Sequence, residues 1–153
     1  MHETEALHIR RLTAEDLEPL HRLLSDPAGM RDLEPPFTRA QTEAFLQKAG
    51  MGREPLIRAV EDGRGFAGYV IYHPYDETSM ELGWVLASDR WGRGYALALT
   101  RQMICRAREN GRDAVIECHP QQAATRHIAE KLGFRPCGMD GGCCVYRLAG
   151  KNE

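Results

Sequence analysis

A chain of 153 residues, 42% hydrophobic and 27% charged, has the size and balance of one globular domain with a sizeable core. Its 20 basic and 22 acidic residues leave a formal net charge of −2, which gives no general pull towards nucleic acid or anionic membranes. No apolar run approaches the ~18 residues of a membrane span, and the start MHETEALHIRR has no signal-peptide core, so the expectation is a cytoplasmic protein with no nucleic-acid or membrane partner. The five cysteines, Cys105, Cys118, Cys137, Cys143 and Cys144, form no C-x-x-C pair. An odd number in a reducing compartment predicts idle or buried thiols and no metal site.

In chain order, ALHIRRL (6–12) alternates as a half-buried strand does. Thr13, with Asp16 three residues on, is close to a capping box for a helix carrying Leu17, Leu20 and Leu24 on one face, and Pro19 fits its first turn. Residues 25–37 read as a loop, and Thr38 caps a second helix through about Gly50. Residues 55–62, 65–73 and 79–87 are three strands of an antiparallel meander, turned at Asp62-Gly63 and again at HPYDET. A helix follows from Gly92 to about Asn110, with Ala96, Leu99, Met103 and Ala107 as its apolar stripe and Gly111 as its stop. DAVIECH (113–119) is a strand, Pro120 to Leu132 a helix, and FRPCGM and CCVYRL the last strands. The expected class is α+β in the order β-α-α-β-β-β-α-β-α-β-β, one domain over 1–149 with a polar tail at 150–153.

Two glycines, Gly92 and Gly94, stand where the third helix begins. Glycine permits positive φ and carries no side chain, so successive N–H groups can point at one anion, and the helix adds about half a positive charge there. That suits a pyrophosphate, with Arg90 and Arg93 as added charge; the alternative is an ordinary strand-to-helix turn. A Walker loop is excluded because no G-K-[ST] follows, and G-x-G-x-x-G fails at Leu97.

The run ELGWVLASDRWGRGYALALTRQMI resembles the acyl-CoA-binding segment of the GNAT superfamily of N-acetyltransferases, V-x-P-x-x-[QR]-x-x-G-x-[GA] entering a helix. Here it closes on Gly94-Tyr95-Ala96. Downstream, HPQQAATRHIAEKLGF is similar to the family's N-x-x-S/A…E-K-L-G-F stretch, and W-G-x-G-Y-A is especially like the RimJ/RimL-type subgroup. The resemblance spans about 79–135. It implies a central, mostly antiparallel, twisted sheet of about seven strands with about four helices. It also implies acetyl-CoA as co-substrate, an amine as acceptor, and dimers as a common state of the family. The backbone of Trp84, Val85 and Leu86 would pair with the pantetheine arm. The stretch Trp91, Gly92, Arg93, Gly94, Tyr95, Ala96 and Leu97 would hold the pyrophosphate, with Gln122 and Thr125 as further cofactor contacts. Trp91 replaces the usual Gln or Arg, Ser88 the usual Pro, and Gln122 the usual Asn.

Acyl transfer to an amine needs that amine neutral, and an alkyl ammonium ordinarily titrates near pH ~10. Alternation in SMELGWVLA puts Glu81 with Gly83 and Val85 on one strand face, opposite Met80, Leu82 and Trp84. A carboxylate in such a strand is costly unless solvated, paired or useful. The resemblance implies a strand carboxylate near this position as base; the alternative is a salt bridge or an edge charge. The family's acid Tyr is replaced by Ala129. Thr125, one turn earlier, is the candidate that donates to the departing thiolate, unless its hydroxyl bonds back to a helix carbonyl. His119 either faces the cleft or is a strand-end surface residue, and His127 points away from Thr125. Tyr72, His73 and Tyr75 lie near the acceptor side in unspecified directions. Acceptor choice is expected in 14–50, where Asp26, Asp32 and Glu34 either attract a cationic acceptor or belong to an ordinary solvated loop. The function read here is acetyl transfer from acetyl-CoA to a protein N-terminus or a small amine by direct attack on the thioester. The alternative is a non-catalytic acyl-CoA-binding or sensing module.

Overall fold

The computed structural model describes residues 6–28 and 35–150. Asp32, Glu34 and the last residues of the polar tail lie outside them. The strands are β1 (His8–Arg10), β2 (Ile57–Asp62), β3 (Gly65–Asp76), β4 (Ser79–Leu86), β5 (Asp113–Cys118), β6 (Arg135–Asp140) and β7 (Cys143–Leu148). The α-helices are α1 (Leu17–Leu24), α2 (Arg39–Phe45), α3 (Tyr95–Glu109) and α4 (Ala123–Lys131). The fold is α+β, with a seven-stranded, mostly antiparallel sheet in the order β1-β2-β3-β4-β5-β7-β6. Antiparallel pairing holds for β1–β2, β2–β3, β5–β7 and β6–β7, and β4 pairs with β5 in parallel.

The chain contacts group into two compact units, residues 1–71 with 84–95 and residues 72–83 with 96–153. In the first, the core is Leu12, Leu20, Leu23, Leu24, Leu46, Ile57, Tyr69 and Val85, with Phe37 edge-on to Phe45 at 5.8 Å. The capping signals hold α1 and α2 in place. Thr13 N–H donates to Asp16 Oδ2 at 2.8 Å, and Gln41 N–H to Thr38 Oγ1 at 3.1 Å. Arg10 clamps Asp16 and Glu61 at 2.8 and 2.9 Å, which ties β1 to the start of α1 and to β2. Gly68 has a positive φ of 151°, and a Cβ on it would lie 2.2 Å from the Val85 carbonyl oxygen, so only glycine fits that point of β3.

In the second unit, Leu99, Met103 and Ala107 of α3 are buried, as are Val115 and Ile116 of β5, Ala129 of α4, Phe134, and Val145 and Tyr146 of β7. Helix α4 packs on β5. Arg147 bridges Asp113 at 2.9 Å and Asp76 at 3.2 Å and donates to Thr78 Oγ1 at 3.0 Å. Asp76 also accepts from the Ser79 hydroxyl at 2.7 Å, so the β3–β4 turn is fixed to β5 and β7 by charge.

Strand β1 is shorter than expected and α2 gives way to a π-helical turn at Leu46–Gly50, and three further boundaries differ near the site. Strand β3 runs through HPYD to Asp76 instead of turning there, and Glu77 and Thr78 make the turn. Pro74 lacks one ladder donor but does not end the strand. Helix α3 begins at Tyr95, because Gly92 and Gly94 adopt φ of 76° and 79°, outside the helical region. Helix α4 begins at Ala123, after a turn at Pro120 and Gln121.

Candidate active site

The parallel register of β4 with β5 covers Ser79–Asp113, Met80–Ala114 and Glu81–Val115 and stops there, although β4 continues to Leu86. Backbone groups require partners, and from Leu82 onward the described register gives this edge of β4 none on β5. On the β3 side, the Ala87 N–H donates to the Ala67 carbonyl at 2.9 Å. The chain then turns through Ser88–Arg90 to the two glycines.

Gly92 and Gly94 are exposed and left-handed, with Arg93 between them at negative φ. Such alternation in the sign of φ is the backbone pattern of a nest, and it feeds directly into the N-terminus of α3. A Cβ on either glycine would meet nothing within 4 Å, so conformation, not space, requires glycine here.

The loop is anchored by a network that the sequence reading missed. Arg90 donates from Nε to Asp62 Oδ2 at 2.9 Å and from Nη2 to Oδ1 at 3.2 Å. The Tyr95 hydroxyl donates to Asp62 Oδ2 at 2.8 Å, and the Arg64 N–H to Oδ1 at 2.8 Å. The Asp62 side chain is fully buried and that of Arg90 nearly so. The Arg90 guanidinium holds the Asp62 carboxyl well below the usual carboxylate range, with Tyr95 and Arg64 helping. Arg90 is therefore committed inward and supplies no charge to an anion at the nest, contrary to expectation; Arg93 is exposed. The only signal for this anchor in the sequence was the Asp62-Gly63 hairpin itself.

Ser88, at the usual proline position, donates its hydroxyl to Asp26 Oδ2 at 2.9 Å, so this carboxylate tethers the loop. Trp91 is half exposed, and its indole N–H donates to the Leu86 carbonyl at 3.0 Å. One of the backbone acceptors expected to meet the pantetheine arm is thus engaged by a side chain. Trp84 is partly buried, while Val85 and Leu86 are buried.

The second cluster belongs to β3, β4 and β5. Glu81 is about a quarter exposed, and its carboxylate Oε1 lies 3.6 Å from His73 Nε2. Burial pushes its pKa up; charge on His73 opposes this and Glu117 adds to it. The Tyr75 hydroxyl donates to Glu117 Oε2 at 2.6 Å, and that bond, with burial, pushes the phenol up to about 12. The extension of β3 through Pro74 is what carries Tyr75 to Glu117.

On α4, Thr125 is partly buried. Thr42 and Thr100 bond back to helix carbonyls at 3.0 and 2.6 Å; Thr125 has no such bond among the described residues. The Gln122 side-chain carbonyl accepts from the His119 N–H at 2.8 Å, which fixes the turn before α4. His119 and His127 are exposed. Cys118 is buried, its thiol is pushed up to about 11 by that burial, and it is in register with Cys144; a thiol so protonated is a poor nucleophile. Among the described residues no group of three or more His, Cys, Asp or Glu is arranged to hold a metal, and no helix is long and apolar enough to cross a membrane.

Comparison with known proteins matches residues 6–135 to the acetyltransferase (GNAT) domain family. An uncharacterised N-acetyltransferase of Bacillus subtilis (strain 168), YnaD, is 24% identical over 145 residues, covering 92% of this chain and 85% of that protein. Among solved structures, a GNAT-family acetyltransferase from Bacillus anthracis superposes with a TM-score of 0.81 at 24% identity, over 97% of both chains. A spermidine N-acetyltransferase from Vibrio cholerae, in complex with CoA and spermine, does so with a TM-score of 0.74 at 22% identity, over 93% of both chains. The strand that outruns its partner, the glycine nest and the family match agree: the chain belongs to the GNAT acetyltransferase family and is an acyltransferase.

Proposed function

We propose that the protein transfers the acetyl group of acetyl-CoA to a primary amine. The observation that carries this reading is the end of the β4–β5 register at Glu81, followed along the same chain by the nest at Gly92 and Gly94. A strand edge without a partner accepts an extended amide-bearing arm, and a nest at a helix start accepts a pyrophosphate. The residues fit coenzyme A on both counts. Trp84, Val85 and Leu86 would take the arm, and the N–H groups from Gly92 to Leu97 the pyrophosphate; Gln122 and Thr125 are further candidate contacts. When bound, the cofactor supplies an acetyl thioester. A β4 N–H would stabilise negative charge on its carbonyl oxygen, a role that backbone donors perform well.

Glu81 takes the proton from the acceptor ammonium. Burial raises its pKa, which brings it closer to the pH at which a base works well. Thr125 donates a hydrogen bond to the departing sulfur. The amine is favoured as acceptor by the anionic character around Glu81 and Glu117, and a structural neighbour acting on spermidine is consistent with it. The RimJ/RimL-like W-G-x-G-Y-A sequence keeps a protein N-terminus as the other acceptor class.

The test is thiol release from acetyl-CoA against a panel of small amines and peptides with free N-termini. Turnover with at least one amine is expected. Calorimetric binding of coenzyme A without turnover for any of them would make the protein an acyl-CoA-binding module.

A further inference from the structure

Turning an ammonium into an amide strips two protons from one nitrogen. The balance is R–NH3+ plus acetyl thioester giving R–NH–CO–CH3, thiol and one H+. One of the two protons ends on the departing sulfur and the other in solvent. A lone carboxylate stores one proton at a time, so the second must wait until the first has gone. The structure places a second acceptor next to Glu81.

His73 Nδ1 lies 2.9 Å from the Pro74 carbonyl oxygen. A carbonyl only accepts, so Nδ1 carries the hydrogen, and in the neutral ring the free lone pair is on Nε2. That nitrogen lies 3.6 Å from Glu81 Oε1, and the relay requires the pair to draw closer to hydrogen-bond distance. Both side chains are about a quarter exposed, so the ring can return its proton to water. The other charged groups around Glu81 are anionic. Glu117 of β5 raises Glu81; Glu117, Asp140 of β6 and Glu81 raise both Tyr75 of β3 and Cys143 of β7.

We propose that His73 and Glu81 act as one two-proton store, with His73 a positioning and relay residue behind Glu81. This rests on the reading of Glu81 as the base. The ammonium N–H bond breaks, its electron pair stays on nitrogen, and the proton joins a Glu81 oxygen. The proton then passes to His73 Nε2, giving an imidazolium beside a regenerated carboxylate. Glu81 is free to take the second proton once the new C–N bond has formed, and that proton goes on to the thiolate. The imidazolium releases the first to solvent.

The experiment compares His73→Gln with Glu81→Gln and wild type, using the best amine found. Gln can hydrogen-bond Glu81 but cannot store a proton. For His73→Gln the expected kcat is about 10-fold below wild type near pH 7, less than the loss on removing the base itself. The gap closes as pH rises, because an acceptor already neutral has one proton fewer to lose. KM for the amine and calorimetric affinity for coenzyme A stay unchanged. A merely structural role would lower kcat by the same factor at every pH, and that result overturns the inference. A His73→Gln profile that superposes on wild type while Glu81→Gln is impaired overturns the pair and leaves Glu81 as base. If Glu81→Gln superposes too, both readings fall. Nitrogen-15 NMR of the His73 ring gives an independent readout: the hydrogen of the neutral ring is expected on Nδ1, and the opposite tautomer overturns the relay.

Discussion

Asp62 and Glu81 are both strand carboxylates, one fully and one partly buried, and the protein treats them in opposite ways. Asp62 receives two bonds from Arg90 and one each from the Tyr95 hydroxyl and the Arg64 N–H, and its charge is locked in. Glu81 has an imidazole at 3.6 Å and a second carboxylate acting against it, and its charge is poised. The two pKa directions follow from this, downward for Asp62 and upward for Glu81. Burial penalises both charges, and the supply of donors decides the outcome. One group builds the loop that leads into α3; the other is left able to exchange a proton.

The largest effect expected from breaking this contrast comes at the poised carboxylate. Glu81→Gln keeps the size and removes the acceptor, and kcat near pH 7 should fall by ~10²–10⁴-fold. The loss should shrink with rising pH as the amine neutralises itself, with coenzyme A affinity nearly constant. A pH–rate profile overlaying wild type would remove Glu81 from the mechanism. In wild type, activity should fall on acidification at a pH above the ordinary carboxylate value, because burial raises Glu81.

Asp62→Asn tests the locked carboxylate. It leaves the buried Arg90 with only the exposed Asp89 as a charged partner, which should cost about 3 kcal/mol in denaturant unfolding. The sign with pH follows from the depressed pKa: the stabilisation is complete above the unfolded-state value near ~4 and is lost as pH falls towards the folded-state value. The variant should therefore show a flatter stability profile below pH ~4. A stability equal to wild type at pH 7 would mean that Asp62 does not anchor the loop.

Gly94→Glu places a negative charge at the nest and forces a side chain into a left-handed residue. Coenzyme A affinity should fall by about 100-fold or more in a folded variant, read by calorimetry. Unchanged affinity would exclude the nest as the pyrophosphate site. The smallest effect is expected for Thr125→Val, a kcat loss of ~10-fold, because a thiolate leaves readily. Unchanged turnover would make Thr125 structural.

Local patterns made most elements legible, because capping residues, alternation and helical stripes act within a few residues of one another. Thr13, Thr38, Gly111 and the Leu99–Met103–Ala107 stripe are examples. Strand alternation gave the face that Glu81 shares with Gly83 and Val85, and the family resemblance supplied its candidate role. His73 could not be placed in this way: it closes the expected strand, and its meeting with Glu81 depends on how β3 and β4 lie beside each other, which no local pattern gives. Tyr75 meets Glu117 across 42 positions of sequence and Arg90 meets Asp62 across 28, so neither pairing has a local trace. Arg90 illustrates the cost of that blindness. Its position beside the glycines suggested an anion ligand, and only the distant carboxylate turns it inward.

The protein's two tryptophans, Trp84 and Trp91, both fall in the stretch between the end of β4 and the glycine nest. All indole emission from this chain therefore originates in one short stretch. Trp91 adds a contrast, being half solvent-exposed yet tethered through its N–H to the Leu86 carbonyl. Any molecule that pairs with that carbonyl must share it with the indole or displace it, and either event alters the polarity the ring senses. The chain thus carries its own optical reporter for occupancy of the β4 edge, with Trp91→Phe as the variant that assigns the signal to one ring.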